Sequence, residues 1–255
     1  MSLKRLIASG ATVLGTFIKT PHPHVVEVLA ASGLDCLCLD AEHAPFDRGD
    51  LDLCILAARA AGTPVLVRTP SNAPHHILNA LDCGADGVVV PHVRSAGEAR
   101  ALVAAAHYGP GGGLERRGYA GSSRAAGYGT KPIPEHLAAS AARSIVIAQI
   151  EDREALDEIE AIAAVEGLDA LFVGRIDLTI ALGCTSPDDP AVIAAAERIV
   201  AAGRAAGRPV GMFTPRAGDV PQWRARGASL FLLASDHTFL RAGAQQLRHD
   251  AQLAG

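Results

Sequence analysis

Acidic, basic and imidazole side chains recur at the C-terminal edges of short apolar runs in this sequence. One run closes on Asp40-Ala41-Glu42-His43, the next on Arg68, another on Pro91-His92. Later runs close on Gln149-Ile150-Glu151-Asp152, on Gly174-Arg175-Ile176-Asp177, on Thr214 and on Ser235-Asp236. Glu151 and Asp177 are two carboxylates that, with solvent or substrate oxygens, suit a hard divalent cation such as Mg2+ or Mn2+. Each also has a plain structural reading. Glu151 opens an acidic stretch where negative charge favours a helix start, and Asp177 could N-cap the segment Leu178–Leu182. His43 is the best-placed base, because imidazole titrates near neutrality. Asp40, three residues earlier, could accept an N–H from the ring and set its tautomer; a surface histidine in a turn is the other reading. Arg68, at a buried strand end, must find an anion. A substrate carboxylate, a developing enolate or a structural carboxylate such as Asp82 would serve. His22, His24, His75, His76 and His107 lack metal-ligand spacing, and His92 reads as pocket lining.

These residues can meet only if the runs are neighbouring strands. Eight runs qualify: Thr12–Thr16, Asp35–Asp40, Pro64–Arg68, Gly87–Pro91, Ser144–Ile150, Ala170–Gly174, Pro209–Phe213 and Ser229–Ala234. Each is short and continuously apolar, as a parallel strand buried on both faces reads. Helical stretches separate them: Pro23–Ser32, Asp50–Ala61, Pro74–Cys83, Ala96–Ala106, Arg153–Ala164, Pro190–Gly207, Val220–Gly227 and Thr238–Leu253. Such alternation, with glycine recurring before the strands, predicts a closed (β/α)8 barrel rather than an open sheet. Barrel enzymes carry their catalytic groups where strands end, the positions read above. The connection Tyr108 to Ala142, rich in glycine and arginine, is long enough to be functional or mobile, or a surface insertion without a role.

The length, 255 residues, is that of one barrel, about 250 residues, so a single domain spanning 1–255 is expected. A net charge of −4 and 4% aromatic residues argue against nucleic acid as a partner. No apolar run reaches the roughly 18 residues of a membrane span, and the first residues are too polar and short for a signal peptide. The five cysteines are odd in number and contain no C-x-x-C. Cys36 and Cys38 alternate on one strand face and read as small buried core residues, in keeping with a reducing cytoplasm.

In order along nearly the whole chain stand GTFIKTPHP, LDAEHAPFD, VRTP, LDCGADGVVVPHV, RRGYAGSSRAAGYG, AQIED and LFVGRIDL. This series resembles the HpcH/HpaI aldolase family, class II metal-dependent 2-oxo-acid aldolases of the phosphoenolpyruvate/pyruvate barrel type. The resemblance implies that Glu151 and Asp177 bind Mg2+, Mn2+ or Co2+, that His43, oriented by Asp40, is the base acting through a water, and that Arg68 polarises the keto oxygen. It further implies that Gln149 contacts substrate or supports the site, that Asp82 is a supporting carboxylate beside the His–Asp pair, and that the backbone of Gly174, Arg175, Ile176 and Asp177 holds the pyruvate carboxylate. Trimers or hexamers that exchange a C-terminal helix are implied as well. Arg175 stands where the family commonly has proline. It would bind an anionic substrate end or point outward and pair on the surface.

The chemistry expected is cleavage of a 4-hydroxy-2-oxo acid to pyruvate and an aldehyde through an enolate. A Schiff-base route needs a lysine inside the barrel. The chain has three lysines, Lys4, Lys19 and Lys131, and none lies within the eight runs; Lys19 falls in a loop beside Pro21. An oxaloacetate decarboxylase or a malyl- or citramalyl-CoA-type lyase would use the same enolate, and Arg116, Arg117 and Arg124 are the cations available for a CoA phosphate. A catalytically dead barrel acting as a scaffold would be expected to lack some of His43, Arg68, Glu151 and Asp177; all four are present.

Overall fold

Branched apolar residues dominate eight strands: β1 (Val13–Ile18), β2 (Cys36–Asp40), β3 (Val65–Arg68), β4 (Gly87–Val90), β5 (Ile145–Ile150), β6 (Ala170–Val173), β7 (Val210–Thr214) and β8 (Leu230–Ser235). In this computed structural model, which describes residues 1–109 and 116–253, they pair in parallel and in sequence order, β1 closing on β8. The fold is a (β/α)8 TIM barrel, as expected. Residues 110–115 of the long connection lie outside the described residues.

Successive side chains of a strand point to opposite faces, and that parity organises the whole molecule. One buried cluster gathers Val13, Cys36, Cys38, Leu66, Val89, Ile145, Ile147, Ala170, Phe172, Leu230 and Leu232, which fill the barrel interior. The alternate residues, among them Leu37, Leu39, Val65, Val67, Val88, Val146 and Leu171, pack outward against the helices. A helix the sequence reading did not anticipate, Leu3–Ala8, seats Leu3 and Ile7 in the interior cluster and so closes the barrel floor. Three aspartates repeat one device at that end. Asp35, Asp86 and Asp169 accept the backbone N–H of Leu14, Val65 and Val146 from the preceding strand.

Local rules explain most helix ends. The helix Arg48–Ala60 starts two residues before the expected Asp50, because Asp47 is the cap and Asp50 completes a reciprocal capping box. The stretch expected as one helix from Arg153 is two short ones, Arg153–Asp157 and Ile159–Ala163. Part of the long connection is itself helical, Ile133–Arg143. Among the described residues no helix is long and apolar enough to cross a membrane.

Gly87 shows how tightly the interior is filled. A Cβ there would meet the carbonyl oxygen and the Cβ of Ile145 on β5. Gly87→Ala is therefore expected to cost about 1–3 kcal/mol, the usual penalty of overpacking. Urea unfolding measures it, and a variant as stable as the parent would contradict this packing.

Candidate active site

Inward parity continues past the strand ends. Phe17 on β1 and Lys19 just after it, Asp40 on β2, Arg68 on β3, Gln149 on β5 and Glu151 just after it, Gly174 after β6 and Phe213 on β7 share it. They converge at the C-terminal mouth, where Phe17, Lys19, His43, Arg68, Gln149, Gly174, Arg175, Ile176 and Asp177 help line a cavity of about 230 Å³.

Asp40 and Arg68 are direct partners in the β2–β3 register. Arg68 donates from Nε to Asp40 Oδ1 at 3.0 Å and from Nη2 to Oδ2 at 2.8 Å. Asp40 is fully buried. Burial alone would raise its pKa, but the hydrogen bonds and charge of Arg68, then Lys19, hold it below the usual carboxylate range. The Arg68 guanidinium lies 4.5 Å over the Phe17 ring. Its Nη1 has no hydrogen-bond acceptor among the described residues, and the side chain lines the cavity.

This pairing corrects one expectation. Asp40 does not orient the imidazole of His43. It accepts that residue's backbone N–H at 3.2 Å, and its carboxylate is taken by Arg68 and Lys19. The carboxylate nearest the ring is Glu42, 3.8 Å from Nε2. Burial and the charge of Arg68 depress the His43 pKa below the ordinary histidine value, although Asp40 and Asp177 oppose them. That direction favours the neutral ring, the form able to accept a proton.

Glu151 is buried and close enough to Asp177 for that charge to raise its pKa, after the larger effect of burial itself. Gln149 Nε2 and the backbone N–H of His92 both donate to it. His92 has a positive φ of 56°, a conformation rare outside glycine; that turn aims its N–H at Glu151. Glu42, His92 and Glu151 also place three possible ligand atoms within 4.8 Å of one another. Burial, with the charge of Glu151 behind it, pushes Glu42 up to about 7. Two buried oxygens here, Glu42 Oε2 and Gln149 Oε1, accept no hydrogen bond. A β-carbon on Gly174 would run into the Glu151 carboxylate. Crowded carboxylates with raised pKa values and oxygens lacking donors are what a hard cation would relieve, so the donor set fits a divalent metal.

Three other expectations change. Asp82 is not beside His43. Its carboxylate accepts from Arg117 at 2.9 Å, in a buried pair that ties the long connection to the helix Pro74–Cys83. Arg175 neither points outward nor stays free. It is buried, donates to the Pro187 carbonyl and to Asp188 at 2.7 and 3.0 Å, and lies over the Trp223 ring. Asp177 is no N-cap. It sits in the first turn of the helix Arg175–Ala181, behind Gly174. Of the arginines offered for a CoA phosphate, Arg117 is held by Asp82 and Arg124 by Asp52.

Sequence reasoning missed Glu42 and Lys19. The signal for Lys19 was parity: it shares the inward face of Val13, Gly15 and Phe17, but the run Thr12–Thr16 leaves out Phe17 and Ile18, apolar residues that end β1.

The family described as HpcH/HpaI aldolase/citrate lyase matches residues 14–242. A 5-keto-4-deoxy-D-glucarate aldolase of Klebsiella pneumoniae is 35% identical over 245 residues, 96% of this chain and 94% of that protein. An HpcH/HpaI aldolase/citrate lyase family protein from Burkholderia cenocepacia superposes with a TM-score of 0.92 at 32% identity, covering 98% of both chains. An HpcH/HpaI aldolase from Desulfitobacterium hafniense gives a TM-score of 0.89 at 31% identity, over 99% of this chain and 97% of the other.

Proposed function

This chain belongs to the HpcH/HpaI aldolase/citrate lyase family, and from that premise we propose that its barrel-top cavity cleaves 4-hydroxy-2-oxo acids to pyruvate and an aldehyde. The observation that carries the reading is geometric: His43, the buried Arg68 and Asp177 face one cavity while the buried Glu151 stands behind it. The relative named for 5-keto-4-deoxy-D-glucarate supports a 2-oxo acid as substrate.

Glu151 and Asp177 would hold a divalent cation, Mg2+, Mn2+ or Co2+. When bound, it supplies Lewis-acid polarisation of the 2-oxo group. The remaining work falls to the chain. The Gly174 N–H is held by the Ile150 carbonyl, so the backbone N–H groups at Arg175 and Ile176, in a first turn that leaves them without intrahelical partners, receive the substrate carboxylate. Gln149 braces Glu151 and keeps one oxygen for substrate. Arg68, fixed through two hydrogen bonds to Asp40, presents Nη1 to the keto oxygen as charge develops there. In the synthetic direction His43, through a water, takes the C3 proton of pyruvate, the enolate C3 attacks the aldehyde carbon, and that proton passes to the new alkoxide oxygen. In cleavage the proton of the C4 hydroxyl goes to His43, the C3–C4 bond breaks to aldehyde and enolate, and the proton returns to C3.

The helix Asp236–Leu253 leaves Phe239, Leu240 and Leu247 exposed, which supports a homo-oligomer, trimer or hexamer, that exchanges this helix. Five free cysteines support a cytoplasmic setting.

Exhaustive EDTA treatment is expected to abolish pyruvate release from 4-hydroxy-2-oxo acids, and added Mg2+, Mn2+ or Co2+ to restore it. Full activity after chelation would overturn the metal-dependent reading.

A further inference from the structure

Lys19 enters the mouth of the cavity from β1, which lies four strands from β5 and therefore across the barrel from Glu151. Its Nζ is 3.0 Å from Asp40 Oδ2, the oxygen that also receives Arg68 Nη2 at 2.8 Å. Two cations thus share one carboxylate, and this wall keeps an excess of positive charge. Asp40 is the one carboxylate partner of Lys19 among the described residues, and its ammonium has three donors. Glu42, the other acid near Arg68, reaches toward His92 on the Glu151 side.

The backbone that carries Lys19 is built to stay in place. The β1–β8 register shifts between Gly15 and Phe17, so β8 holds an extra residue, and Ala234 adopts a positive φ of 50° there. That bulge brings the buried Asp236 against β1. Its two oxygens accept the backbone N–H groups of Lys19 and Thr20 at 2.7 and 2.9 Å. Thr16 Oγ1 donates to the Leu233 carbonyl at 2.6 Å on the same edge.

We propose that Lys19 is a specificity-determining residue that binds a carboxylate carried by the aldehyde half of the substrate, so that this cavity favours anionic aldehydes over neutral ones. The proposal rests on the aldolase reading above. With the 2-oxo acid at Glu151 and Asp177, the electrophile must approach from the open mouth; of the cations that line it, Arg68 is buried and turned to the keto oxygen, whereas Lys19 is partly exposed and has ammonium donors beyond the one that Asp40 takes. Arg175 also lines the cavity, but it is buried against the Trp223 ring, with Nη2 turned to Asp188 and the Pro187 carbonyl.

Glyoxylate and glycolaldehyde are two-carbon aldehydes that differ in that charge. The test is the ratio of their kcat/KM values in aldol addition to pyruvate with Mg2+ or Mn2+ present. Lys19→Met is expected to lower the ratio of glyoxylate to glycolaldehyde about 10–100-fold, the scale of a hydrogen bond to a charged group. Lys19→Arg, which restores the cation, is expected to recover most of it. A ratio unmoved by Lys19→Met would overturn the proposal and leave the lysine as a partner of Asp40 alone. Trapping of pyruvate on Lys19 by borohydride would also overturn it, because the nitrogen would then be a nucleophile. Exchange of the pyruvate C3 protons by the parent enzyme separates the two failures. Without exchange, the aldolase reading fails and the proposal falls with it; with exchange and an unmoved ratio, the Lys19 assignment fails alone.

Discussion

Arg68→Lys is expected to lower kcat about 10²–10³-fold, the loss seen when one preorganised donor to a developing oxyanion is removed. The guanidinium is planar. Two of its nitrogens are committed to Asp40 while the third remains for the keto oxygen. An ammonium on a shorter stem cannot keep both engagements at once. The surroundings that fix Arg68 also favour its charge: burial would lower its pKa, but Asp40 raises it through hydrogen bonding and charge, and Glu42 adds to the effect. The measurement is single-turnover pyruvate formation at saturating substrate, with thermal unfolding of the same sample to show that the barrel is intact. A folded variant with parental kcat would remove Arg68 from the chemistry.

The second large effect is on stability. Asp40→Asn is expected to cost about 3–5 kcal/mol, because it takes the bidentate counter-ion from the buried Arg68 and leaves it, among the described residues, only Glu42, 3.3 Å away. The pH dependence follows from the direction of the Asp40 shift. Its folded pKa is depressed, so its contribution is fully present above the unfolded-state value of about 3.9, and it is lost as pH falls through the lower folded value. The gap between parent and variant should therefore be full at pH 7 and narrow in the acid range below about pH 4. Urea denaturation at both pH values reads this, and equal stabilities at pH 7 would show that Asp40 is not the anchor of Arg68.

Sequence alone made much of the fold legible, since eight buried strands separated by helices leave few other topologies. It was also enough to bring Arg68, Gln149 and Glu151 to one mouth, because side-chain parity carries over from residues whose burial is obvious. It failed where the run Thr12–Thr16 stopped short of an apolar signal that Phe17 and Ile18 continue. β1 extends through Ile18, and Lys19, directly after it, is a wall of the cavity and not part of a loop beside Pro21. Glu42 escaped notice because it lies between the two residues of the motif that drew attention, Asp40 and His43.

Periodicity and residue type therefore assign the set of groups and the end of the barrel they occupy: two carboxylates, an imidazole, an arginine and a glutamine at the ends of β2, β3, β5 and β6. Hydrophobic periodicity suffices for that, because burying one face of a strand dictates the other. Which group partners which was decided only in three dimensions. Asp40 sits opposite Arg68 through the β2–β3 register, so it binds the guanidinium and not the His43 ring. Asp82 faces Arg117 because the long connection folds back over its helix, and Arg175 turns under Trp223 toward Asp188. Ion pairs depend on a few ångströms of separation between residues remote in the chain, and only strand register, bulges and loop paths set those distances.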